Sequence, residues 1–191
     1  SRSGCGGGGQ LDRLVDEAHA AIVEAIVSRL RAAGWTVEVE VEVLFAIWGE
    51  RGSIDVLAFH AARGALLVIE VKSAITDSQA TIHGLDRKAR LAREIAGGRG
   101  WDVRHVSRLL VVGATDRARR RIAGLAATYD AELPMRGSTV RRWLRDPERA
   151  LAAGLLFVSF DAYGRFHRRR QAARDSWQIS GLAPVATSRR P

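Results

Sequence analysis

Asp55, Glu70 and Lys72 are the residues whose types and spacing could do hydrolytic chemistry in this chain. Glu70 and Lys72 stand two apart in the run Ala65-Leu-Leu-Val-Ile-Glu-Val-Lys72, which reads as a strand, so period 2 puts both on one face. Asp55 lies in the preceding strand, 54–60, and the short turn 61–64 joins the two as a hairpin. Asp55 can then approach Glu70. Two adjacent carboxylates make an oxygen-rich site for Mg2+, with Mn2+ as a substitute. Such a cation neutralises phosphate charge and makes a bound water more acidic. A nearby ammonium orients or polarises the attacking water and offsets charge in the transition state. Lysine suits that task better than arginine because its charge is compact and tunable. Of the 30 basic residues only Lys72 and Lys88 are lysines, which favours a specific role for a lysine here. The plainer account of Glu-x-Lys on a strand is a solvated ion pair. Against it stand the tight hairpin, the glycine before the aspartate, and the apolar run 66–69 leading straight into Glu70.

The elements that must position these residues are legible from periodicity. Residues 1–9, rich in glycine and holding Cys5, read as a flexible lead. A helix is expected over 10–33, where Leu11, Leu14, Val15, Ala18, Ile22, Ala25, Ile26 and Leu30 recur at helical spacing and Gly34 ends the run. Val37, Val39, Val41, Val43 and Phe45 alternate with Glu38, Glu40 and Glu42, so 36–45 reads as a strand with its valines on one face. A turn at 48–53 leads into the Asp55 strand. A helix is expected from about 77 to 96 on the stripe Ile82, Leu85, Ala89, Ala92 and Ile95. A buried strand follows at 109–112, then a helix capped by Thr115 and running to about 127. A short helix is expected over 136–144 and a last strand at 155–160. The expected core is α/β, a mixed β-sheet flanked by helices in the order α-β-β-β-α-β-α-β. Residues 10–164 form a single domain on this reading, and 165–191 form an Arg-rich, partly disordered tail.

Several other residues are candidates around the hairpin. Gln79 opens the helix that follows Lys72 and is placed to meet the site. His83, Asp86, Arg87 and Arg90 share its face, which otherwise reads as solvated. His19 could contact a phosphate, or sit as a satisfied histidine at the core edge. Glu50 could reach the metal from the turn, or be an ordinary exposed glutamate. Glu24 has the wrong helical phase. Lys88 could pair with a carboxylate or a phosphate. Arg51, Arg87, Lys88, Arg119 and Arg120 are candidate nucleic-acid contacts, and Arg141–Arg142 and Arg168–Arg170 could add phosphate-contacting patches.

Helix, strand, Gly52-Ser-Ile-Asp55, hairpin, Ile69-Glu-Val-Lys72, then helix and strand resembles the PD-(D/E)XK nuclease superfamily, across roughly residues 10–130. Gly49-Glu-Arg-Gly-Ser-Ile-Asp55, with Leu85-Asp-Arg-Lys88 and Trp143-Leu-Arg, is similar to an uncharacterised actinobacterial branch of it. The resemblance implies a restriction-endonuclease-like core and a Mg2+-dependent phosphodiesterase acting on DNA. Asp55 and Glu70 would take the metal-ligand positions and Lys72 that of the motif lysine.

Composition narrows the alternatives. The chain has 191 residues, 47% of them hydrophobic, and a net charge of +9. That length and content suit one domain with a real core. Residues 1–100 carry 12 basic and 13 acidic side chains, residues 101–191 carry 18 and 8, and this asymmetry fits a polyanion partner. No apolar run reaches the roughly 18 residues of a membrane helix, and one cysteine supports neither an internal disulfide nor a cysteine metal cluster. No secretory signal is read at the N-terminus, so a cytoplasmic protein is expected. Without an initiator Met, the chain reads as trimmed or cut from something longer, with an upstream regulatory domain as a partner. A homodimer is one route to cutting both strands. Three functions follow as expectations: a metal-dependent DNA endonuclease, a catalytically silent nucleic-acid-binding module, or a protein-interaction domain whose arginines serve solubility only.

Overall fold

The computed structural model describes residues 8–45 and 50–159. Most of the expected lead, the tail at 165–191 with Arg168–Arg170, and the side chains of Glu50 and Arg51 lie outside the described set. Helix α1 spans Gly8–Ala32, so it begins inside the expected lead. Its stripe buries Ile22, Ile26, Val27 and Leu30. Gly34 stops it at φ 85°, a left-handed conformation open to glycine, and the Trp35 N–H returns to the Leu30 carbonyl at 3.1 Å. There follow β1 (Thr36–Phe45), β2 (Glu50–His60), a 3-10 turn (Ala61–Arg63), β3 (Ala65–Lys72), α2 (Ser78–Gly98) and β4 (His105–Gly113). The chain continues through α3 (Asp116–Gly124), α4 (Ala126–Glu132), β5 (Met135–Arg136), α5 (Gly137–Arg145) and β6 (Ala153–Val158).

The six strands form one mixed sheet in the order β1-β2-β3-β4-β6-β5. The pairs β1–β2 and β2–β3 are antiparallel, while β3–β4, β4–β6 and β5–β6 are parallel. Helices cover both faces, as parallel strands require. One core layer packs Ile82, Leu85, Ala92 and Ala96 of α2, Ala118 and Ile122 of α3, and Tyr129 of α4. The other packs α1 with Val140 and Leu144 of α5. The Trp35 indole N–H donates to the Leu144 carbonyl at 2.8 Å and ties α5 to the end of α1.

The expected mixed sheet flanked by helices is present, but β2 begins at Glu50, inside the turn expected at 48–53. The order gains α4 and β5 between α3 and β6, while the short helix expected over 136–144 is present as α5. The helix expected to run to about 127 breaks at Leu125, whose φ of −123° leaves the helical region just after Gly124. The single-faced alternation of β1 also fails. Val37 packs in the α1 layer and Val41 in the α2 layer, although four residues should return a strand to one face. Between them Glu40 takes φ 51°, so the strand reverses its phase there. Val39 is left 46% exposed.

Candidate active site

The β3 side chains alternate cleanly. Ala65, Leu67, Ile69 and Val71 enter the α1 layer, and Leu66 and Val68 enter the α2 layer. Glu70 is in phase with Leu66 and Val68, so it belongs to the α2 side and is 6% exposed. Helix α2 answers it with Lys88, whose Nζ binds Glu70 Oε2. Lys72, two residues along β3, binds Glu70 Oε1 at 2.8 Å. The chain's two lysines therefore meet on one carboxylate, one on each oxygen.

Asp55 reaches this group through a local break in the sheet. The β2–β3 register runs from His60↔Ala65 to Val56↔Ile69 and stops there. The next position would set Asp55 opposite Glu70. Instead the Val71 backbone N–H donates to Asp55 Oδ2 at 2.6 Å, so a side chain replaces the missing rung. On the other flank, Val39↔Val56 and Val41↔Ile54 bracket Glu40 opposite Asp55. Ile54 and Leu57 both enter the α2 layer despite odd spacing, so β2 slips phase at Asp55 as β1 does at Glu40.

The electrostatics follow from this crowding. Burial, and then the neighbouring Glu70 carboxylate, push the Asp55 carboxyl above its ordinary value. The Val71 N–H, Lys88 and His19 pull it back down less strongly. An open groove of ≈ 450 Å³ at this end of the sheet is lined by Asp16, His19, Asp55, Glu70, Lys72 and Asp77 among others. Four carboxylates against one lining lysine make it a locally acidic hollow in a chain of net charge +9. Hard carboxylate oxygens on a site short of positive charge fit a divalent cation such as Mg2+. Only one oxygen of Asp55 is engaged by Val71. No group of three or more His, Cys, Asp or Glu residues arranged to hold a metal occurs among the described residues.

The structure brings Asp55, Glu70 and Lys72 together, with His19 half-buried on the same groove. Lys88 pairs with the Glu70 carboxylate, the first of its two expected partners. Gln79 is not brought in: it is exposed, and α2 lends Ala80 and Thr81 to the lining instead. Asp77 caps that helix by accepting the Ala80 N–H at 3.0 Å. Asp86, on the face read as solvated, pairs with Arg108 at 2.7 Å. Arg87 and Arg120 are exposed, while Arg119 lies over the Phe157 ring at 4.6 Å. The residue missed is Asp16. It stands three before His19, a spacing that puts both on one helix face, and it supplies the α1 carboxylate of the groove. Glu24 is exposed and lies outside the lining.

The chain matches no protein-family model and no curated protein. None of the helices among the described residues is long and apolar enough to cross a membrane.

Proposed function

We propose that the protein is a metal-dependent endonuclease that hydrolyses DNA phosphodiester bonds. The observation that carries this reading is the meeting of Asp55 and Glu70 at the break between β2 and β3, with Lys72 2.8 Å from Glu70 and all three on one open groove. Asp55 and Glu70 hold Mg2+, or Mn2+ in its place. Bound there, the cation supplies charge neutralisation at the phosphate and a more acidic water. Lys72, the more exposed of the two ammoniums, orients the attacking water and offsets charge on the phosphoryl oxygens. The fixed partners of Asp55 and Glu70 keep the site preorganised.

The arginines of α3 support a polyanionic substrate. Arg121 binds the backbone carbonyl of Thr76, a groove-lining residue, so α3 adjoins the rim. Arg117 and Arg120 on the same helix are exposed and suit phosphate contacts. The test is cutting of plasmid DNA in Mg2+ by wild type and Asp55→Ala. Cutting that the substitution abolishes supports the reading, and cutting that survives it refutes the metal role of Asp55.

One observation favours a second reading, the catalytically silent nucleic-acid-binding module: both oxygens of Glu70 are already held by ammoniums. That reading expects salt-sensitive DNA binding, without cutting, that survives loss of both Glu70 and Lys72.

A further inference from the structure

Lys88 does something different from Lys72. It binds Glu70 from α2, its side chain is 14% exposed, and it is not part of the groove's lining, whereas Lys72 is. It therefore approaches the carboxylate from behind the site rather than from the side a substrate would occupy. A carboxylate as enclosed as Glu70 needs a compensating charge at all times. Lys88 provides one in the metal-free protein, on Oε2, and its charge also acts on Asp55, the other carboxylate a cation would share.

We propose that Lys88 is a positioning residue that stands in for the metal. It holds Glu70 in place in the metal-free protein and competes with the divalent cation for that carboxylate, so that Lys88 sets the metal concentration at which the site fills. The inference rests on the reading of Asp55 and Glu70 as a cation site. The geometry argues for competition rather than support. Each Glu70 oxygen already carries one ammonium, so a divalent cation on the same carboxylate is repelled by both, and withdrawal of one relieves that repulsion. Lys72 reaches along its own strand, whereas Lys88 reaches from a separate helix and can turn away without disturbing β3. Lysine also suits a displaceable partner better than arginine, being a point charge on a flexible stem.

The test is Mn2+ binding to the full chain, followed by electron paramagnetic resonance of the free ion, with melting temperature measured in parallel. Lys88→Gln keeps a hydrogen-bond donor near Glu70 and removes the charge. Competition predicts that Lys88→Gln binds Mn2+ roughly tenfold more tightly than wild type, within the usual span of site-to-site coupling. It also predicts that the variant melts lower than wild type in chelator and gains more from Mn2+. Lys88→Arg, which restores the charge, should return Mn2+ affinity toward wild type. A purely structural lysine would lower the melting temperature without tightening the metal, so equal or weaker Mn2+ binding by Lys88→Gln overturns the proposal while leaving the cation site standing. Absence of Mn2+ binding in wild type and Lys88→Gln alike overturns both.

Discussion

Asp55 accepts the Val71 backbone N–H at 2.6 Å at the register position where β2 ceases to pair with β3. A ladder bond between strands would have used the Asp55 backbone and left its side chain to follow the pleat. The break instead turns the carboxylate into the partner of a main-chain donor and fixes it beside Glu70. Glu40, at φ 51° on the opposite strand, marks the same reversal in β1. Backbone irregularity is concentrated where the candidate chemistry is, which is where strained positions usually carry function.

The enclosed Asp55 carboxyl predicts a pH-dependent gain from neutralising it. Its pKa in the folded protein is raised, first by burial and then by Glu70. A carboxyl so shifted stabilises the fold fully below its unfolded pKa of about 3.9, and that contribution is lost as pH rises through the folded value. Asp55→Asn removes the charge and keeps an oxygen for the Val71 N–H. It should melt above wild type at pH 7 in chelator, with the difference closing toward pH 4. Thermal melts across that range check this; a variant less stable at pH 7 would contradict it.

Lys72 should separate activity from stability. Its ion pair is partly solvated, so Lys72→Ala should cost no more than about 1 kcal/mol of stability. Cutting should nevertheless fall by about 100-fold or more, the scale of losing one preorganised electrostatic contact. Lys72→Arg should fail to restore it, since a planar fork does not replace a point charge. Rates measured beside denaturant melts give both numbers, and full activity in Lys72→Arg would count against the role assigned to Lys72.

The rim of α3 should announce itself through salt. If Arg117 and Arg120 contact phosphates, replacing both with serine should weaken duplex binding uniformly across sequences. It should also make the log–log salt slope shallower by about 1 per arginine. An unchanged slope would remove α3 from the interface.

Trp35 carries a prediction about the scaffold alone. It is 4% exposed, its ring meets Trp143 at 5.5 Å, and its N–H satisfies the Leu144 carbonyl. Trp35→Phe leaves that carbonyl unpartnered and opens space beside Trp143, which should cost about 2 kcal/mol in chemical denaturation. Because Trp35 lies outside the groove lining, the metal affinity of the folded variant should not change.

The parts of this protein that were legible in the sequence are those that local periodicity dictates. The α2 stripe and the shared face of Glu70 and Lys72 each follow from one segment's own spacing, and the observed elements agree. What was not legible depends on pairing between segments. The Glu38, Glu40, Glu42 alternation says nothing of the reversal at Glu40, because that reversal exists only against Asp55 across the sheet. Lys88 on Glu70 joins a helix to a strand 18 residues earlier, and helical phase alone could not tell a buried carboxylate from a solvent phosphate as its partner. Asp16 carries a usable sign in its spacing to His19, whereas Glu24 has the wrong helical phase and lies outside the lining.

The most direct test of the central claim is cleavage of supercoiled plasmid, linear duplex, single-stranded and branched DNA in Mg2+ or Mn2+, by wild type beside Glu70→Ala and Lys72→Ala. The predicted result is metal-dependent cutting of at least one substrate, abolished by both substitutions in proteins that still melt cooperatively. Salt-sensitive binding without cutting, equal in all three proteins, would contradict the nuclease reading and leave the chain as a nucleic-acid-binding module.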